Sequence, residues 1–319
     1  MTPRAVIPSG TVIQPGGHLL IANNPSDPSG PPTGGYSLNA YGGNAIPDIT
    51  YLDDIPDNTG VALFRTTNAG ALTEVNRLDA AGFSSASSQY REGTGIAPIG
   101  TQNAEYSFVR NLTTGFPQDT NQNAADFVLV ATDGNATFSG ATLGAPGPEN
   151  SRSPIQRNAL IKASFIDPQC AGFGSSDSAC ARVRDGSDTN PNNAALGTLT
   201  IRRRFTNNTG NSVRQLRFRA VNITTQGNRQ SNEADVRALS SSTATVTDSF
   251  GNEMTINGLT LEENPPAQPN GGGLNSSLRE NTITMGTPLA PGASVNVQFR
   301  LGVMVNGGFR FLVNVEAVP

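Results

Sequence analysis

Residues 198–223 read TLTIRRRFTNNTGNSVRQLRFRAVNI. Leu199, Ile201 and Phe205 recur at spacings of two, the period of a strand and not of a helix. Thr206–Asn211 breaks the run with turn-forming residues, Gly210 being free to take a positive φ. Beyond the break Leu216, Phe218 and Ala220 fall on one face, with Arg217 and Arg219 on the other. Two alternating runs joined by an Asn/Gly turn predict a β-hairpin. In that hairpin Arg202 and Arg217 share an outer face. Arg202, Arg204, Arg217 and Arg219 then stand within cross-strand reach, roughly 4.5–5.5 Å between opposed positions. Four guanidinium groups so placed repel one another. Either carboxylates of a neighbouring strand or the other domain neutralise them, or an anionic glycan, phosphate or nucleic acid binds there. The absence of interleaved aromatics argues against single-stranded nucleic acid.

The rest of the composition agrees with an all-β chain. Gly 35 and Pro 22 are spread along 319 residues, and hydrophobic residues make up only 36%. Many short strands joined by long polar turns produce that balance, and long helices do not. The length suffices for two domains of roughly 100–200 residues each. A net charge of -4 sets up no global field for nucleic acid, so no nucleic-acid partner is expected. No apolar run reaches the ~18–20 residues that would span a bilayer. The first thirty residues show no basic region followed by an apolar core, so an export signal, if the protein is exported, is expected upstream of Met1. Cys170 and Cys180, ten positions apart in a Gly/Ser loop, are expected to be bridged, in keeping with an oxidising, extracellular compartment. With one distant His18 they cannot form a structural zinc site.

In chain order, Thr11–Asn24 reads as strand, Pro15-Gly-Gly turn and strand. A long Pro/Gly/Ser loop follows to Asn44, with Tyr36 and Tyr41 its only large side chains. Val61, Leu63 and Phe64 mark a strand whose return carries Leu72, Val75 and Leu78. Tyr106–Arg110 and Phe127–Val130 are β-prone. The pieces PGGHLLIAN, NTGVALF, ALTEVNRL, YREGTG, YSFVR, DTNQNAADFVLV and TLGAPGPEN follow in the order seen in lamin-tail domains of bacterial surface and secreted proteins. Residues from about Thr11 to Asn150 resemble the later two thirds of that module. The resemblance implies an immunoglobulin-like β-sandwich in which Asp119, Asn123 and Asp126 brace a turn and Phe127 fills the core. Family members begin with a further strand or two, so the first sandwich is expected to lack a strand and to present an open edge.

Gly144–Pro154 is Pro/Gly/Ser punctuation and the best boundary, dividing the chain into domains 1–150 and 151–319. In the second, strands are expected at Leu160–Phe165, Ala234–Val246, Met254–Leu261, Thr282–Met285, Val295–Leu301 and Phe309–Val315. This half loosely resembles β-sandwich modules at the ends of bacterial surface proteins. Asp185, Asp188 and Asn190 offer oxygen ligands at short spacing, as Ca2+ loops do, without the full register of such a loop. Asp53, Asp54 and Asp57 form an acidic loop, read as solvated. No P-loop, dinucleotide fingerprint or G-x-S-x-G elbow is present, and His18 lies within an apolar run. The expectation is two tandem antiparallel immunoglobulin-like β-sandwiches in a non-enzymatic extracellular or cell-surface protein of structural or adhesive type. Its partners would be surface glycans, other surface proteins or further copies, joined head to tail at strand edges into filaments. The alternative is a carbohydrate- or anion-binding accessory module of a larger secreted enzyme, and a catalytic domain of unfamiliar type is the weakest reading.

Overall fold

The computed structural model describes residues 3–23, 45–51, 55, 59–100, 105–132, 138, 140–262 and 268–319. The all-β expectation holds. The first part forms three small sheets. β1 (Ile21–Asn23) pairs in parallel with β2 (Ile49–Tyr51), and β3 (Gly60–Phe64) pairs antiparallel with β4 (Arg77–Gly82). β5 (Tyr106–Arg110) lies antiparallel to β6 (Phe127–Ala131), which runs parallel to β7 (Thr142–Leu143).

Two expectations here are corrected. The Pro15–Gly17 turn forms, with Gly17 N donating to Gln14 O at 2.7 Å, but the expected strand leading into it from Thr11 does not. The apolar run after it pairs with β2 instead, and the Asp48 carboxylate accepts Leu20 N at 2.8 Å. The strand returning from β3 starts at Arg77 rather than Leu72. Two 3-10 turns, Ala69–Ala71 and Glu74–Asn76, take up the intervening residues; Asn68 caps the first and the Asn76 side chain bonds Ala71 O. Val75 is left 92% exposed in solvent.

The second part contributes β8 (Ile155–Gln156), β9 (Ile161–Ser164), β10 (Phe173–Gly174), β11 (Arg182–Asp185), β12 (Thr198–Asn207) and β13 (Gln215–Ile223). β14 (Asp235–Leu239), β15 (Ala244–Thr247), β16 (Glu253–Leu261), β17 (Ser277–Glu280), β18 (Ser294–Val305) and β19 (Phe311–Val318) complete it. One sheet is built on β12, which pairs with β18 on one side and with β11 and β9 in succession on the other. β14 extends it beyond β18. The facing sheet is built on β13, flanked by β17 and β19, with β8 on the far edge of β19. β16 passes between them. Its start pairs with β15, Asn257 and Gly258 pair with β18, and Leu259–Leu261 pair with β17. Gly258 sits where the strand changes sheets; a Cβ there would lie 2.1 Å from Ser241 O, so no side chain fits.

The core lies between these two sheets. Phe205 of β12 meets Phe218 of β13 with ring centroids 4.7 Å apart, and Phe299 of β18 packs edge-on to Phe218 at 5.0 Å. Leu216, Ile223, Leu259, Leu278, Val297 and Leu301 belong to the same buried cluster. The alternation read from the sequence is right in each strand, but the hairpin is not. β12 and β13 belong to opposite sheets and make no ladder with each other. Asn207 explains the difference. Its backbone pairs with Gly292 and Ala293, and its side chain donates to Leu289 O and Asn211 O. The turn is thereby tied to the segment leading into β18, and the chain arches across the core. The strand expected at Thr282–Met285 is also displaced, to Ser277–Glu280. Ile283 N and Thr282 Oγ1 both donate to the Glu280 carboxylate, which holds that segment in a turn.

Candidate functional site

The arch separates Arg202 and Arg204 from Arg217 and Arg219, placing the two pairs on opposite outer faces. Arg202 is buried under the cysteine loop. It donates to the carbonyls of Ser176 (2.9 Å) and Ser178 and to Gln298 Oε1 (3.3 Å). Arg204 donates through Nε to Asn296 Oδ1 at 3.0 Å. Arg217 and Arg219 lie on the other sheet, where Glu316 of β19 is the direct cross-strand partner of Arg217. The shared outer face expected for Arg202 and Arg217 therefore does not exist.

Arg217 and Arg219 are the centre of a buried ionic clasp. Arg217 Nε meets Glu316 Oε2 at 2.5 Å, and Arg219 Nε meets Glu316 Oε1 at 2.8 Å. Glu149 is ion-paired with both arginines, and Glu262 stands 3.6 Å from Arg217. Arg219 Nη1 also donates to Asn275 O and Oδ1 at 3.0 Å, and Asn275 Nδ2 donates on to Ala145 O and Pro146 O at 3.1 Å. Burial alone would raise the Glu316 carboxyl, but Arg219 and Arg217 outweigh it and hold it below the usual carboxylate range. His18 Nε2 closes the outside of the clasp at 3.1 Å from Glu149. Burial and the nearby Arg219 lower the His18 pKa below 6.5, so the imidazole is neutral at neutral pH.

The clasp grips the segment that reads as domain punctuation. Ala141, Leu143 and Ala145 are buried; Leu143 N donates to Gln226 O, and Ala145 N donates to Leu274 O at 2.9 Å. Gly147 has φ +54, and a Cβ there would lie 2.7 Å from Arg219 Nη1, so glycine lets the backbone reach the arginine. Breaking a buried ion pair by removing one partner costs roughly 3–5 kcal/mol, because the other charge is left stranded. The segment from Ala141 to Gln156 is accordingly stitched to the second part and does not hang as a free tether.

The other sequence-derived residues fall elsewhere. Cys170 and Cys180 are disulfide-bonded, with Cα atoms 4.5 Å apart. The Asp185 carboxylate accepts from Ser187 N, Ser187 Oγ and Asp188 N, and Asp188 is ion-paired with Arg300 at 2.7 Å and bonded to Thr198. Asn190 Oδ1 caps Asn192 N. The three ligand candidates are thus each engaged by protein donors. Among the described residues no three of His, Cys, Asp and Glu converge on a metal position. Asp53, Asp54, Asp57, Tyr36 and Tyr41 lie outside the described residues. Asp119 accepts Asn121 N and stands 3.7 Å from Arg110. Asn123 and Asp126 are fully buried braces. Asn123 bonds Gly82 N, Glu92 N and Ala80 O, and Asp126 accepts from Gln118, Thr120 and Gln122. Phe127 is half-buried beneath the Arg110 guanidinium, 4.8 Å from ring centroid to Cζ, and so does not fill the core as expected.

A second feature escaped the sequence reading. Between the edges of the two facing sheets, alongside β9 and β19, opens a cleft of about 760 Å3. Ile201, Phe205, Phe299, Phe311 and Val313 line it, so it exposes the margin of the core itself. Among the described residues its charged lining is Lys162, Arg182, Arg203 and Arg310. Arg310 is ion-paired with Glu233. Among the described residues the other three meet no carboxylate. Arg203 stacks over Phe165 at 4.9 Å and Arg182 over Phe173 at 4.7 Å. The signal was present in the alternation: Arg203 occupies the core-facing register of Ile201 and Phe205.

No family model, no curated protein and no solved structure matches the chain.

Proposed function

We propose that the chain is a non-enzymatic structural or adhesive protein of the extracellular space or cell surface, made of two tandem immunoglobulin-like β-sandwiches. The first is the lamin-tail-like module its motifs resemble, and copies associate through strand edges. The observation that carries this reading is the clasp. Glu149, with Asn275 holding the carbonyls beside it, fastens the end of the first part to the face of the second. A rigid link between two modules serves a protein that transmits load or spaces partners. The cross-linked Cys170–Cys180 loop fits an oxidising compartment. The short two-stranded sheets β1–β2 and β3–β4 leave edges that recruit further strands.

The alternative of a carbohydrate- or anion-binding accessory module loses its main argument, because Arg202, Arg204, Arg217 and Arg219 are all engaged within the protein. Sedimentation velocity over a concentration series, together with a polysaccharide screen at low and high salt, tests the choice. Concentration-dependent association without glycan binding is the expected result. A strictly monomeric protein that binds a glycan in a salt-sensitive way would replace this reading with the alternative.

A further inference from the structure

The cleft beside β19 has the form of an unfilled strand position. β8 pairs with β19 only at Glu316 and Ala317, and the chain then turns through Arg157–Leu160 into β9 of the opposite sheet. Val315 N–H and C=O point toward the β8 side, where they meet the Asn158 side chain and Arg157 N. In an antiparallel strand alternate residues point the same way, so Phe311 and Val313 turn their N–H and C=O outward too. Arg310 confirms the phase, since its N–H and C=O bond Thr224 on the β13 side. Among the described residues no strand lies beyond Phe311 and Val313. Edges of this kind are completed by strand addition, in which the backbone ladder gives affinity and side-chain pockets give specificity.

We propose that this vacant position is a docking groove for an extended acidic peptide segment of a partner protein, which pairs with β19 at Phe311 and Val313 and sets a carboxylate against Arg203. Residues 311–313 offer roughly 10 Å of open edge at about 3.3 Å per residue, enough for a short three-residue ladder ending where Asn158 and Arg157 take up Val315. The incoming side chains alternate. Those facing inward cover Phe205 and Phe299 and place one carboxylate beside Arg203 and Arg182, which line the cleft together and among the described residues meet no carboxylate. The partner is an acidic peptide and not an acyl chain because an acyl tail would fill the apolar floor yet leave the Phe311 and Val313 backbone unpaired. The inference deepens the reading of assembly through strand edges and rests on it.

The probe is a soluble seven-residue peptide, Thr-Val-Thr-Glu-Thr-Val-Thr, blocked at both ends, titrated into the whole protein and followed by backbone NMR shifts. Shifts are expected at Ile161–Ser164, Arg203 and Phe311–Val315. Replacing its glutamate by glutamine, or making Arg203→Gln in the protein, should weaken binding about tenfold or more, the loss of one charge-assisted hydrogen bond. N-methylation of the peptide backbone on the side facing β19 should abolish binding to the unaltered protein, a measurement independent of whether the variant folds. No shifts in the cleft at millimolar peptide, or indifference to N-methylation, would overturn the proposal. So would decanoate displacing the peptide and binding more tightly. Cleft shifts that grow with protein concentration alone would assign the groove to a second copy and also overturn it. Self-association that leaves the cleft shifts unmoved would uphold strand-edge assembly elsewhere, so the two ideas fail separately.

Discussion

The two parts of the molecule are held together by different physics. The part from Ile161 to Ala317 rests on apolar burial, with Phe205, Phe218 and Phe299 interlocked between two sheets. The part before Asn150 has small sheets and buries polar braces at its centre: Asn123 and Asp126 are wholly inaccessible and bond several backbone groups each. Both buried hydrophobic clusters found among the described residues lie beyond residue 160. Apolar burial is tolerant of small displacements, whereas a buried amide or carboxylate stabilises only while every one of its partners is in place. Damage should therefore spread through the second part in proportion to lost volume and should strike the first part all at once.

The sharpest test removes Phe218. Phe218→Ala leaves a cavity between the sheets and is expected to cost about 4 kcal/mol, seen as a lowered denaturant midpoint for the second part. Next is the joint. Glu316→Gln removes one of the two carboxylates that Arg217 and Arg219 share, leaving Glu149 as their common counter-charge, and should cost about 3 kcal/mol; Glu149→Gln should cost less while uncoupling the two parts, which would then melt in separate calorimetric transitions. A single unchanged transition for Glu149→Gln would show that the clasp does not couple them. In the first part Asn123→Ala orphans Gly82 N, Glu92 N and Ala80 O together, a loss of about 2 kcal/mol or more. Hydrogen exchange should then accelerate at Gly82 and Glu92 and stay unchanged at Phe218. Acceleration at both places would contradict the difference between the parts.

The same contrast explains what could be read from the chain. Period-two alternation marks which residues face a core, and it placed Leu216, Phe218 and Ala220 correctly. It does not say which strand lies alongside. A hairpin and an arch have the same local signature, and the choice between them is made by Asn207 bonding Leu289, some eighty residues away. β11 lies just past the cysteine loop, where no strand is expected, because Arg182–Asp185 has one apolar residue, Val183, and gains strand geometry only by pairing with β12. The clasp was legible by half. An outward arginine pair requires counter-charges, but nothing local identifies Glu149 in a Pro/Gly stretch and Glu316 near the end of the chain as their source. Asn123 and Asp126 were legible as braces through the motif resemblance, while Phe127 was misjudged because the Arg110 guanidinium serves as its lid.

The smallest expected effect is also the most specific to the first part, where two buried carboxylates titrate in opposite senses. For Asp126, burial raises the pKa but hydrogen bonds from Thr120, Gln118 and Gln122 outweigh it, leaving it below its ordinary 3.8. Its contribution is complete above 3.8 and is lost as the pH falls through the lower folded value, since the unfolded chain then takes the proton first. Glu92 goes the other way: burial, then Asp79 and Asp119, push it above its ordinary 4.5, and its Oε2 has no hydrogen-bond partner among the described residues. Between 4.5 and that raised value the folded state holds a proton that the unfolded state has released. Stability therefore falls as the pH rises through this window, and the cost persists at neutral pH. Glu92→Gln should remove the upper limb and stabilise the first part at pH 7 by under about 1 kcal/mol, leaving the acid limb in place. Asp126→Asn should erase the acid limb and destabilise at every pH, because an amide cannot accept all the bonds the carboxylate does. Urea midpoints of the two variants measured from pH 3 to 7 decide the matter. Parallel curves for Glu92→Gln and the parent protein would mean that Glu92 is solvated, and that this part does not carry a buried charge against its own stability.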